Sequence, residues 1–268
     1  METVNKYAQI FDLSEKTAIV TGGYGHLGSG IVRALLAFNA DVVVAGRSIE
    51  KYEAVFSEAE RKNLSFEQID ITNSQSIANC FEVVVEKYGT IDILINNAHT
   101  AKGNSPENMN DEDWAYTMDG VVGSVHKAIR EIMPVMKNQG FGKIVNIASM
   151  YGLVSPDFRL YEDDNCEMYR NPPHYGAAKA AMIQLTKYYA ALLAKYNIQV
   201  NAVSPGPFPK AKIQTDNPLF VERLKKKNPM NKIGEPVDLA GVIVLLSSRG
   251  SSFITGQTLQ VDGGWTIW

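Results

Sequence analysis

The chain has 268 residues, 45% of them hydrophobic and 21% charged, which is the composition of an ordinary globular protein with room for a large core. A formal net charge of -3 gives no basic footprint for nucleic acid, and Cys80 and Cys166 stand too far apart, without partners at ligand spacing, for a disulfide framework or a zinc site. No segment approaches an apolar membrane span and the N-terminus has no leader pattern, so the expectation is a cytoplasmic protein without nucleic-acid, membrane or metal partners.

Residues 1–16 are polar and aperiodic and read as a tail over the domain edge, ahead of one domain at 17–268. Thr17–Val20 is a short apolar strand that runs into Thr21-Gly22-Gly23-Tyr24-Gly25-His26-Leu27-Gly28, after which Ile31, Leu35 and Leu36 recur at helical spacing. Strand, glycine-rich turn and helix are the context a phosphate-cradling loop requires. Glycines let the backbone approach a pyrophosphate, and a helix N-terminus aims N–H groups and positive dipole at it.

A strand at 41–45 ends in Gly46-Arg47-Ser48. The alternation continues with a helix near 49–62, strand 64–69, helix 74–88, strand 91–95, a long helix near 111–137 and strand 143–147. A helix from Tyr175 leads to strand 199–203, and a helix near 236–247 precedes the last strand at 258–261. Seven strands joined by helical crossovers predict an α/β fold: one doubly wound, seven-stranded parallel sheet of the Rossmann kind in a single domain. Ligands of such sheets sit outside the carboxyl ends of the strands, where residues 21–28, 46–48, 70–71, 96–99, 149, 175–179 and 204–210 fall.

Tyr175 and Lys179 are four residues apart, so on a helix they share a face. An ammonium near a phenol favours the phenolate. Bringing a tyrosine from about 10 to roughly 7 takes ~4 kcal/mol, more than one solvated lysine supplies, so a second cation and some shielding from water are needed. The spacing alone is more often that of a core aromatic beside a solvated lysine.

The TGGYGHLG turn, Asp70-Ile71, Asn96-Asn97-Ala98, Ile144–Ser149, Tyr175-x-x-x-Lys179, Asn201–Gly206, Ile254–Gln257 and Val261–Gly264 together resemble the short-chain dehydrogenase/reductase family, from Thr17 to Gly264. The resemblance implies Ser149 as the holder of the substrate oxygen and Tyr175 as the acid/base. Lys179 would hold the nicotinamide ribose and lower the tyrosine pKa, with the oxidised nicotinamide as the second cation. The cofactor would lie along Gly22, Tyr24, His26, Leu27, Gly28, Arg47, Ser48, Asp70, Ile71, Asn97, Ala98, Pro205, Gly206 and Phe208, with Asp70 accepting from the adenine.

Four places depart from the family pattern. His26 stands where a glycine is expected, either beside the diphosphate or facing solvent. His99 follows Asn-Asn-Ala in place of glycine, facing the nicotinamide or packed in the wall. Val121, within Asp119-Gly120-Val121-Val122-Gly123, takes the place of a helix asparagine that helps hold a relay water. Ser149 and Tyr175 are 26 apart, about twice the family's separation, which leaves an insertion at about 153–172 at the mouth of the site. Its aromatic and charged residues, Asp163 and Asp164 among them, suit a mobile lid, against the alternative of an idle surface loop.

Specificity between the dinucleotides is read after the second strand, where an acid bonds the ribose hydroxyl and an arginine accepts a 2′-phosphate. Glycine followed by Arg47 favours NADP(H) over NAD(H). The expected reaction moves hydride between nicotinamide and a carbonyl or secondary alcohol. His99, Arg159, Arg170 and Lys210, with His174 and Lys212 at the mouth, point to a polar small-molecule substrate such as a sugar, sugar acid or activated sugar. A keto-acyl or small ketone substrate, an epimerase or dehydratase with transient hydride transfer, and a non-catalytic dinucleotide-binding regulator are the alternatives. By resemblance the long helices near 111–137 and 174–195 would pair into a homodimer or homotetramer, with Ile129, Ile132, Met136, Leu185, Tyr188 and Leu192 as apolar contributors.

Overall fold

A computed structural model describes residues 7, 9–103, 105–162 and 170–268. Its strands are β1 (Thr17–Thr21), β2 (Asp41–Gly46), β3 (Leu64–Gln68), β4 (Ile93–Asn96), β5 (Gly142–Ile147), β6 (Ile198–Pro205) and β7 (Thr258–Val261). They form one parallel sheet in the order β3-β2-β1-β4-β5-β6-β7. The order reverses direction between β1 and β4, where a doubly wound sheet opens a crevice at its carboxyl edge. Every residue of β1, β4, β5 and β6 is buried, as expected of parallel strands covered on both faces of the sheet.

The helices are α1 (His26–Ala37), α2 (Ile49–Val55), α3 (Glu58–Arg61), α4 (Ser74–Tyr88), α5 (Asp111–Met118), α6 (Ser124–Gln139), α7 (Pro173–Leu193), α8 (Ala211–Asp216), α9 (Pro218–Lys227) and α10 (Ala240–Ser247). Successive strand residues feed opposite faces of the sheet. Ile19 and Val43 pack with Ile77, Phe81, Ile129 and Met182 of α4, α6 and α7 on one face. Ala18 and Val20 pack with Ile31, Leu35 and Ile243 of α1 and α10 on the other.

Two expected helices are broken for local reasons. The helix expected at 49–62 divides at Phe56, which turns into extended backbone and is buried, and Ser57 with Glu60 then forms a capping box that starts α3. The helix expected at 111–137 passes through a π-helical turn, Asp119–Gly123, between α5 and α6. Val121, at the place of the expected asparagine, is buried within that turn. Of the apolar residues expected at a subunit interface, Ile129, Ile132 and Met136 are fully buried in the domain's own core, so they are not available to a partner. Tyr188 and Leu192 on α7 are exposed.

The insertion is packed over its described first part. Tyr161 is 4% exposed and its ring lies tilted 5.4 Å from that of Phe220 of α9, within a small apolar cluster that includes Met150, Tyr151, Leu224 and Trp265. Its acidic residues Asp163 and Asp164, and Cys166, lie outside the described residues.

Candidate active site

The carboxyl ends of the central strands open onto a cleft of about 570 Å³ that runs from the glycine-rich turn to Tyr175 and Lys179. Gly28 lies so close to the Gly22 carbonyl that any Cβ there would collide with it, which draws the first turn of α1 against the turn. The Thr21 hydroxyl accepts the N–H groups of Asn97 and Ala98, both at 3.0 Å. The Asn97 amide donates to Thr21 O and Gly22 O at 2.9 and 3.1 Å. Asn97 therefore serves the cleft by locking the end of β4 to the turn, with its amide protons already used.

At the adenosine end, the Tyr24 ring lies on Gly46 and occupies the space that a side chain there would need. The Tyr24 hydroxyl accepts the N–H groups of Arg47 and Ser48 at 2.9 and 3.3 Å. This contact explains glycine at the position where the family places an acid. Arg47 lines the cleft, is exposed, and makes no ion pair among the described residues. Asp70 is held below the usual carboxylate range by the N–H and hydroxyl of Thr72, with Arg47 adding to the effect. Ser48 does not line the cleft, because its hydroxyl caps α2, accepting from Lys51 and donating to Glu50. Pro205 and Gly206 are likewise outside the lining. They end β6, Gly206 bonded to Val261 O at 3.0 Å, and launch Phe208, Pro209 and Lys210 across the cleft.

His26 lines the cleft with its Nε2 buried and without a partner among the described residues. Burial, and then Lys210, lower its pKa, while the Phe208 backbone opposes them. Of the two sequence alternatives for His26, the structure favours the place beside the glycine-rich turn over the solvent. A glycine-rich turn at a helix N-terminus, an unpaired arginine and an open carboxylate edge at Asp70 suit a phosphorylated dinucleotide.

The serine, tyrosine and lysine singled out from sequence are brought together at the other end. Ser149 is 8% exposed, the second residue after β5, and its Oγ accepts the Tyr151 N–H at 3.2 Å. Lys179 is 2% exposed, and its Nζ donates to Ile147 O at 2.6 Å and lies 5.7 Å from the Tyr175 ring centre. Burial brings the Lys179 ammonium down to about 7. Burial also raises the Tyr175 phenol, and the Ser149 side chain pulls the other way. In the protein alone, then, desolvation outweighs the pull of Ser149 on the tyrosine, as expected of a site that needs a further cation.

His99 lies on the cleft wall with its ring 5.9 Å from that of Tyr175. Its exposed surface faces the cleft, and crowding by the walls, followed by Lys179, lowers its pKa to about 4. It is a neutral imidazole at physiological pH. Lys210 is at the same end. Arg159 and Arg170 are not in the lining: Arg159 is held by Asp157 at 2.7 and 2.8 Å, and Arg170 lies over Phe158. His174 is fully buried against Trp114, so it does not stand at the mouth, and Lys212, paired with Asp216, is not in the lining. Thr100, Asn171 and Ile213 line the cleft and were missed from sequence. Asn171 precedes Pro172-Pro173, a return signal that marked the position without naming the residue.

Residues 25–266 match a family model described as enoyl-(acyl carrier protein) reductase. A 3-oxoacyl-[acyl-carrier-protein] reductase of Chlamydia pneumoniae is 31% identical over 253 residues, 94% of this chain and 97% of the relative. Gluconate 5-dehydrogenase of Gluconobacter oxydans is 32% identical over 266 residues, 97% and 98% of the two chains. Among solved structures, a gluconate 5-dehydrogenase from Burkholderia cenocepacia in complex with NADP and tartrate matches with a TM-score of 0.86 at 27% identity, over 98% of this chain and 99% of that one.

Proposed function

We propose, for a chain that belongs to the short-chain dehydrogenase/reductase family and is an NAD(P)-dependent oxidoreductase, that it uses NADP(H) to interconvert a secondary alcohol and ketone on a small polyhydroxylated acid. The observation that carries the substrate reading is the polar end of the cleft. A neutral His99, Asn171 and the Lys210 ammonium line it beside Tyr175. Neutral donors and acceptors suit hydroxyl groups, and one cation suits a carboxylate. The likeness to two gluconate 5-dehydrogenases supports the same class.

Bound nicotinamide supplies or takes the hydride. Ser149 donates its hydroxyl proton to the substrate oxygen, since its Oγ already has a donor in the Tyr151 N–H. Tyr175 gives a proton to that oxygen in reduction and takes it in oxidation. Lys179, fixed by Ile147 O, holds the ribose with its remaining N–H groups and biases the phenol toward ionisation. Arg47 would donate its guanidinium N–H groups to the 2′-phosphate.

The acyl-thioester reading rests on the acyl-carrier-protein reductases among the relatives. NADPH oxidation assayed with keto-gluconates and with an acetoacetyl thioester separates the two. Turnover of the keto acid with little on the thioester is expected, and the reverse overturns the substrate class.

A further inference from the structure

The insertion touches the reacting groups through a buried pair of tyrosines. Tyr151 and Tyr161 are 8% and 4% exposed, and their hydroxyls lie 2.6 Å apart. Tyr151 is the residue whose N–H donates to Ser149 Oγ. Tyr151 also sits in the turn Met150–Gly152, which is wedged against α7: its carbonyl abuts Gly176 and the next residue, Gly152, abuts the Lys179 backbone. The far side of the pair is equally fixed. The Tyr161 ring packs tilted against Phe220, Arg223 donates to Leu160 O at 3.2 Å, and Lys227 lies 3.4 Å from the Asp157 carboxylate. Three ties thus join residues 157–161 to α9, and one joins them to the serine turn.

We propose that Tyr161 is a positioning residue: through its hydrogen bond to Tyr151 it holds the serine turn, and with it the Ser149 hydroxyl, in register with Tyr175. The insertion is in this respect a strut between α9 and the catalytic serine. The proposal rests on the reading of Ser149 and Tyr175 as the catalytic pair. A hydroxyl pair sealed from water keeps its bond continuously, whereas an exposed pair exchanges with solvent. Losing one partner leaves the other buried and unpaired, and removing both together leaves an apolar contact of nearly the same shape.

The test compares wild type, Tyr161→Phe, Tyr151→Phe/Tyr161→Phe and Ser149→Ala, by thermal unfolding and by the pH dependence of alcohol oxidation. Groups that face Tyr175, namely Lys179 on its own helix, His99 and Tyr151, are unchanged in charge in every variant. A wandering Ser149 no longer bonds the phenolate, so the alkaline-activated limb of kcat/KM moves up by about 0.5 to 1 pH unit, the equivalent of one hydrogen bond. At fixed pH, kcat/KM falls about 5-fold, while cofactor affinity stays the same. The single variant loses stability, and the double variant regains it but keeps the displaced limb. A double variant that regains both stability and the wild-type limb, or a single variant with no displacement, overturns the proposal. Ser149→Ala with wild-type activity overturns the catalytic reading itself, and the strut with it.

Discussion

Lys143 gives the sharpest stability prediction. It lies within β5 at 1% exposure, and Nζ donates to Ser251 Oγ at 3.1 Å with no carboxylate paired to it among the described residues. Burial lowers its ammonium from 10.5 to about 8. Because the folded-state pKa is the lower one, the unfolded chain binds more protons between those values, and stability rises with pH across that window. Below pH of about 8 the folded protein carries the full cost, about 3 kcal/mol at 1.36 kcal/mol per unit. Lys143→Met keeps the volume and removes the charge. Allowing about 1 kcal/mol for the lost hydrogen bond, the variant is stabilised by about 2 kcal/mol at neutral pH, a Tm gain of roughly 4–8 °C. Thermal unfolding at pH 7 and pH 10 checks it: the gain is present at the first and shrinks or reverses at the second. A variant that is less stable at pH 7, by the same margin at both pH values, refutes the desolvation argument.

Three further outcomes follow from the cleft and the surface. Arg47→Asp weakens NADP(H) at least about 100-fold while leaving NAD(H) nearly unchanged, as equilibrium fluorescence titration would record; equal losses for both would remove Arg47 from phosphate recognition. His99 is neutral above a pH of about 4, so the pH profile between 5.5 and 7.5 has no limb that disappears in His99→Gln, and such a limb would show a protonated imidazole. Tyr188→Lys, at a residue 63% exposed on α7, shifts the assembled form toward monomer in light scattering at micromolar concentration; a wild-type protein already monomeric there excludes pairing through α7.

The sheet was legible because its strands are short segments rich in Val and Ile with crossovers of helical period between them. Tyr175, Lys179 and the glycine-rich turn were legible for a different reason: a phenol, an ammonium and close backbone approach require those residue types at those spacings. Tyr24 over Gly46 was not, since a ring packing on a strand end across 22 residues leaves no periodic trace. Arg159 and His174 misled because charge and polarity suggested the mouth of the site. Asp157 holds the first, and Trp114 covers the second. The insertion read as a lid from its composition, yet Tyr161 and Leu160 anchor its described first part to α9.

The most direct test of the central claim follows deuterium from C4-deuterated NADPH into the product of a polyhydroxy keto acid, with wild-type protein and with Tyr175→Phe. Hydride chemistry served by Tyr175 predicts label on the new alcohol carbon for the wild type. It also predicts transfer at least about 100-fold slower in the variant, with NADPH affinity preserved. Label transfer at a comparable rate in Tyr175→Phe, or none in the wild type with any carbonyl compound, would contradict it.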